Sequence, residues 1–177
     1  MPDPPAPVDR IGPVVVLVAC QATACLPIDE DGAHVRAIRQ VLSDPPDGEV
    51  LHRRPNGVGL SPDGTTLYLA LSDEKRPVLL AYPLDAKGQT GTPRLFLDMH
   101  AELATGDPGL PDGMDVGPHG HVFATGPDGV HVCAPDGQRL GIIRTGKAIA
   151  NCCIGEMGRT LFLTSSDMLA MVPLRTS

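Results

Sequence analysis

Three stretches of this sequence can be laid over one another, and that repeat limits the fold more than any other feature. The first is Pro55-Asn56-Gly57-Val58-Gly59-Leu60-Ser61-Pro62-Asp63-Gly64, followed by Leu67-Tyr68-Leu69. The second is Pro111-Asp112-Gly113-Met114-Asp115-Val116-Gly117-Pro118-His119-Gly120, followed by Val122-Phe123-Ala124. The third is Ala150-Asn151-Cys152-Cys153-Ile154-Gly155-Glu156-Met157-Gly158, followed by Leu161-Phe162-Leu163. Each reads as a polar residue, a short strand, a turn and a strand centred on an aromatic residue. The offsets are 56 residues from Asn56 to Asp112 and 39 from Asp112 to Asn151. They bracket the length of one four-stranded blade in a radial repeat.

Between and after these stretches the chain alternates with period two. Thr66–Leu71 puts Leu67, Leu69 and Leu71 on one face, and Val78–Leu84 does the same with Val78, Leu80, Tyr82 and Leu84. Val122/Ala124, Val130/Val132, Leu140/Ile142, Leu161/Leu163 and Leu169/Met171 continue the pattern, which is that of half-buried strands. Pro62-Asp63-Gly64, Pro127-Asp128-Gly129 and Pro135-Asp136-Gly137 separate them. In such triplets Pro presets φ, Asp bonds the local backbone and Gly accepts positive φ. With 20 Gly, 19 Pro and no Trp, composition also favours short strands and tight turns over long helices. The expected class is all-β: a partial β-propeller, with about three blades of four-stranded antiparallel sheet in residues 51–177.

Residues 1–50 carry no chemical motif and are left unassigned. Residues 1–8 are Pro-rich and expected to be disordered, Val14–Val18 is a strand candidate, Ala33–Leu42 a helical candidate and 44–48 a turn. The apolar run Val14–Ala19 is far too short to span a bilayer. Leu17-Val18-Ala19-Cys20 has the form of a lipoprotein cleavage box, but Arg10 is the only cation before it, beside Asp3 and Asp9. A cytoplasmic location is therefore expected over a periplasmic or lipoprotein one. The net charge of −7, with Lys and Arg scattered, lacks the basic footprint of a nucleic-acid binder. The cysteines Cys20, Cys25, Cys133, Cys152 and Cys153 are odd in number and form no CxxC, which argues against a disulfide framework.

In a propeller the innermost strands line a central channel, so equivalent positions of successive blades converge. Asn56, Asp112 and Asn151 are equivalent in the repeat, and three amide or carboxylate oxygens meeting at one point suit a hard divalent cation. The alternative for any one of them is a plain turn, since Asn-Gly and Asp-Gly are turn sequences.

Arg54-Pro55-Asn56-Gly57 and its following hairpin, Gly109-Leu110-Pro111-Asp112-Gly113-Met114-Asp115-Val116, Phe123–Val130 and Ala150-Asn151-Cys152-Cys153 together resemble the gluconolactonase/regucalcin family over roughly Leu51 to Arg175. The resemblance implies a six-bladed propeller with a divalent metal in its channel, Ca²⁺ first and Zn²⁺, Mn²⁺ or Mg²⁺ as alternatives. It implies hydrolysis of a sugar lactone to the aldonic acid. Asn56 matches the family's metal-binding Asn. Asp112 matches the Asp that binds metal and serves as general base. Asn151 is an extension from the repeat. The family's other two ligands, a Glu near its start and an Asn in an earlier blade, have no matching context here; Glu30 and Glu49 are the only glutamates before Asn56. About three blades of the family's length are not matched. The alternative function is a non-catalytic propeller fragment that binds metal or a partner, including its own copies through open blade edges.

Other polar residues read as structural. His119 and His121 are expected as exposed turn residues, His131 on the outward face of a strand, and Ser72-Asp73-Glu74-Lys75 as a solvated loop near the channel mouth. Ser165-Ser166-Asp167 reads as a turn, and Ala101–Leu110 as a Gly- and Pro-containing loop. Cys152 and Cys153 should point to opposite faces of one strand.

Overall fold

The structure, a computed structural model, describes residues 15–19, 22–26, 37 and 54–175. The helical stretch and turn expected within 33–48, the Pro-rich residues 1–8, and Cys20 lie outside the described residues, Ala37 excepted. Strands β1 (Val15–Ala19) and β2 (Ala22–Leu26) form an antiparallel pair with Val15 opposite Leu26. The strand candidate near Val14–Val18 is thus present.

The rest is three consecutive antiparallel sheets, the blades of a partial propeller. The first blade is β3 (Pro55–Leu60), β4 (Thr66–Asp73), β5 (Arg76–Pro83) and β6 (Arg94–Asp98). The second is β7 (Met114–Val116), β8 (Val122–Gly126), β9 (Gly129–Cys133) and β10 (Arg139–Ile143). The third has three described strands, β11 (Ile149–Gly155), β12 (Thr160–Ser165) and β13 (Met168–Pro173). Each blade is an up-and-down meander, because each connection within a blade is a short turn that returns the chain beside itself. The Pro-Asp-Gly triplet at 127–129 makes a two-residue turn: Gly126 pairs with Gly129, and Asp128 sits between them at φ 74°.

Leu67, Leu69, Leu71, Val78, Leu80 and Tyr82 share one face of the first blade, as the alternation requires. The other face is not solvent-exposed. Tyr68, Ala70, Leu79, Ala81 and Phe96 pack against Val122, Ala124 and Cys133 of the second blade. Phe123 and Val130 then pack against Cys152, Leu161 and Leu163 of the third. Inner blades are therefore buried on both faces, where alternation alone suggests burial on one. That face mixes Leu79, Phe96 and Tyr68 with alanines that a hydrophobic-polar pattern counts as neutral. Ala70, Ala81 and Ala124 are each at most 2% exposed.

Two expectations are corrected. His131 is not on an outward face: it is fully buried, and its Nε2 lies 2.8 Å from the Pro127 carbonyl oxygen. It faces the second blade's own turn and the short helix α1 (His100–Ala104), which occupies part of the stretch read as loop. Arg139 of β10 bonds Glu102 of α1 and donates to the Asp98 carbonyl at 2.9 Å, so the helix is pinned across the gap between two blades. Among the described residues no helix is long and apolar enough to cross a membrane.

Candidate functional site

Asn56 does not occupy a turn. It lies inside β3, where the register against β4 slips by one residue between Pro55 and Val58. The bulge gives Asn56 and Gly57 a place that regular pairing would deny them, and bulges are a common way to re-aim a side chain beside a functional site. β11 repeats the device with a slip between Ile149 and Asn151.

The glycine after each polar residue serves close approach between blades. A β-carbon on Gly57 would lie 1.9 Å from the carbonyl oxygen of Asp112. One on Gly113 would lie 2.0 Å from Asn151 Oδ1 and 2.8 Å from Asn151 Cα. Neither glycine has positive φ, so the need is for space, not for a left-handed backbone. The beginnings of the three inner strands are thus in direct contact, and Asn56, Asp112 and Asn151 follow one another along that contact.

A hydrogen-bond chain holds them there. Asn56 Nδ2 donates to Ser72 Oγ at 3.0 Å, and Ser72 Oγ in turn donates to the Pro111 carbonyl next to Asp112. Gly113 N–H donates to the Ala150 carbonyl at 2.9 Å, beside Asn151. Thr125 clamps the Gly113 carbonyl with its N–H at 2.9 Å and its hydroxyl at 3.0 Å. Asp115, one turn further along β7, accepts from the Ile154 N–H at 2.7 Å and ties β7 to β11.

The electrostatics of the three positions differ. Burial pushes the Asp112 carboxyl above its ordinary value, and a hydrogen bond from Asn56 opposes the rise. Asn56 Oδ1 is buried with no hydrogen-bond partner, a state that costs free energy unless a donor or cation meets it. Asn151 is exposed, and its Oδ1 accepts the Cys152 N–H at 2.8 Å. A hard cation fits the first two: it would relieve both the orphaned amide oxygen and the desolvated carboxylate. Asn151 is near, but its oxygen is already engaged. Among the described residues no three His, Cys, Asp or Glu side chains gather as a metal site.

Ser72 is the residue that sequence reasoning placed in a solvated loop. The remainder of that stretch, Asp73, Glu74 and Lys75, does form the β4–β5 turn, and with Arg54 it lines an open cleft of about 390 Å³ near Asn56. The signal for Ser72 was its position at the end of the Leu67/Leu69/Leu71 alternation, still within the strand. His119 is exposed and His121 half-buried, on the wall of a second cleft of about 450 Å³ with Phe123 and Ile154. Ser166-Asp167 is the turn expected, closing between Ser165 and Met168. Cys152 is buried and Cys153 exposed, as alternation on a strand dictates.

Residues 49–167 match the family model described as the SMP-30/gluconolactonase/LRE-like region. A gluconolactonase of Zymomonas mobilis is 41% identical over 126 residues, which covers 70% of this chain and 35% of that protein. Among solved structures, a gluconolactonase of Xanthomonas campestris superposes with a TM-score of 0.61 at 31% identity, over 71% of this chain and 39% of that one. Regucalcin of Agrobacterium tumefaciens, described as a calcium-binding protein, gives a TM-score of 0.53 at 28% identity, over 64% and 38% of the two chains. The chain therefore spans between one third and two fifths of the length of these relatives.

Proposed function

The chain belongs to the SMP-30/gluconolactonase/LRE-like family, and from that premise we propose that it hydrolyses a sugar lactone with the help of a divalent cation, Ca²⁺ foremost. The observation that carries the proposal is the juxtaposition of Asn56 and Asp112 across the first two blades, with Asn56 Oδ1 buried and unpaired. Asn56 and Asp112 would hold the cation, with Asn151 as a further oxygen if it releases the Cys152 N–H. When bound, the cation supplies electrophilic stabilisation of negative charge on the lactone carbonyl oxygen.

Asp112 orients a water molecule and accepts its proton as the water oxygen bonds to the carbonyl carbon. The ring carbon–oxygen bond then breaks, and the ring oxygen leaves as a hydroxyl after taking up a proton. The product is an open-chain aldonic acid. The inter-blade clamps at Gly113 and Asp115 fix the position of Asp112 and keep the reacting groups aligned. No serine or cysteine nucleophile is required.

Turnover of glucono-1,5-lactone with and without added Ca²⁺, Zn²⁺ or Mn²⁺, beside Asp112→Ala, tests the reading. The expected result is cation-dependent hydrolysis that the substitution abolishes. Cation-independent hydrolysis, or hydrolysis that survives the substitution, would overturn it. The engaged oxygen of Asn151 favours a second reading, a cation-binding module with too few free ligands to turn over substrate. That reading predicts cation binding that depends on Asn56 and Asp112, without hydrolysis.

A further inference from the structure

We propose that Ser72 is a positioning residue that holds the Asn56 amide with its oxygen turned away from the protein's own donors and free for a divalent cation. The inference rests on the reading of Asn56 and Asp112 as cation ligands.

The argument is one of donor and acceptor counting. A serine hydroxyl has one proton to give and lone pairs to receive. The Pro111 carbonyl can only accept, so the bond between them commits the Ser72 proton to Pro111. Ser72 then offers Asn56 nothing but lone pairs. The amide must meet it with Nδ2, as it does at 3.0 Å, and Oδ1 must point elsewhere. Rotating the amide by half a turn would set Oδ1 against the Ser72 lone pairs and lose the bond. Asp112 also receives a hydrogen bond from Asn56, so the serine proton and the neighbouring carboxyl together turn Nδ2 inward and leave Oδ1 as the free atom.

Ser72 is itself held at both sides. Its N–H donates to the Arg54 carbonyl at 2.9 Å, and it pairs with Pro77 across β4 and β5. Its hydroxyl thus reports the position of the segment carrying Asp112 to the strand carrying Asn56. One hydroxyl bonds the amide of one ligand and the carbonyl beside the other. Outer hydrogen-bond partners of metal ligands characteristically change affinity by about 10- to 100-fold when removed.

The test measures Mn²⁺ binding directly, by loss of the free-ion electron paramagnetic resonance signal, alongside the urea midpoint of each variant. Ser72→Ala should weaken Mn²⁺ binding at least about tenfold, and Ser72→Thr, which keeps the hydroxyl, should restore it to within about threefold of the parent. Ser72→Cys keeps the volume with a poor hydrogen-bonding group, and carries the same expectation if the alanine variant does not fold. Asn56→Ala and Asp112→Ala accompany them. If these two leave Mn²⁺ binding unchanged, the cation site is misplaced and the role of Ser72 falls with it. If they abolish binding while Ser72→Ala or Ser72→Cys binds like the parent, the site stands and the positioning role is refuted. A loss that Ser72→Thr fails to rescue also refutes it, because the hydroxyl would not be the operative group.

Discussion

Gly57→Ala should do damage out of proportion to one methyl group. The added carbon would sit 1.9 Å from the Asp112 carbonyl oxygen and 3.0 Å from its carbonyl carbon. Both are backbone atoms, so no rotamer change can relieve the clash. β3 and the start of β7 must separate by about 1 Å to reach a tolerable contact, in a region packed as tightly as a crystal. Overpacking of this kind costs about 1–3 kcal/mol, and rigid backbone on both sides places this site at the upper end. With an m-value of about 1–3 kcal/mol/M, the urea midpoint should fall by about 1–3 M. Gly141→Ala is the control. A β-carbon there meets nothing within 4 Å, and its φ is not positive; the change should be neutral or stabilise by about 0.4–1 kcal/mol through the unfolded chain. Equilibrium urea unfolding of both variants settles the matter. A Gly57→Ala midpoint equal to that of the parent would refute the claim that the inner strands touch through Gly57.

Two further outcomes follow from burial. His131 is neutral when folded, because burial holds its proton affinity below the ordinary value of 6.5, with Arg139 adding to the effect and Glu102 and Asp128 opposing it. The unfolded chain then binds more protons than the folded one below pH 6.5, so His131 contributes stability that is present above that value and lost as pH falls through its lower folded pKa. His131→Gln retains an N–H for the Pro127 carbonyl but cannot ionise; urea midpoints from pH 7.5 to 5 should decline less steeply in this variant, and parallel declines would refute the assignment. Among the described thiols, Cys153 is exposed, while burial pushes Cys133 up to about 11 and raises Cys152 as well. Brief alkylation of the folded chain followed by peptide mass analysis should label Cys153 and spare the other two; labelling of Cys152 at a similar rate would mean that the third blade opens.

The strands of the first two blades and the faces of β4 and β5 were legible because Leu, Val and Tyr at alternate positions leave one arrangement that buries them. The alternation misplaced the outer strands: Leu140, Leu169 and Met171 are exposed, and Ala170 and Val172 are the residues of β13 that pack inward. The second buried face of the first blade was not legible either, because Ala70 and Ala81 stand in it among Tyr68, Leu79 and Phe96 and blur its apolar signal. His131 was misread for a related reason. Between Val130 and Val132 it takes the polar phase of the alternation, and only the stacking of a neighbouring blade and α1 turns that phase inward. The adjacency of the segments that carry Asn56 and Asp112 was legible through the repeat, which places equivalent residues at equivalent heights. Ser72 was hidden: its role depends on the carbonyl of Pro111, 39 residues away, and no local pattern encodes such a partner.

The two readings available for each Asn-Gly or Asp-Gly pair, turn or ligand, are both incomplete. In the first two copies the glycine clears the way for the next inner strand. A larger residue at Gly57 would therefore push away the segment that carries Asp112. The third copy differs. Cys152 stands where the glycine would be, with its Sγ buried against the Phe123 carbonyl of the second blade at 3.3 Å. Asn151 Oδ1 accepts the Cys152 N–H. The buried Asn56 Oδ1, which has no hydrogen-bond partner, lies at the junction of the first two blades, beside the segment that carries Asp112.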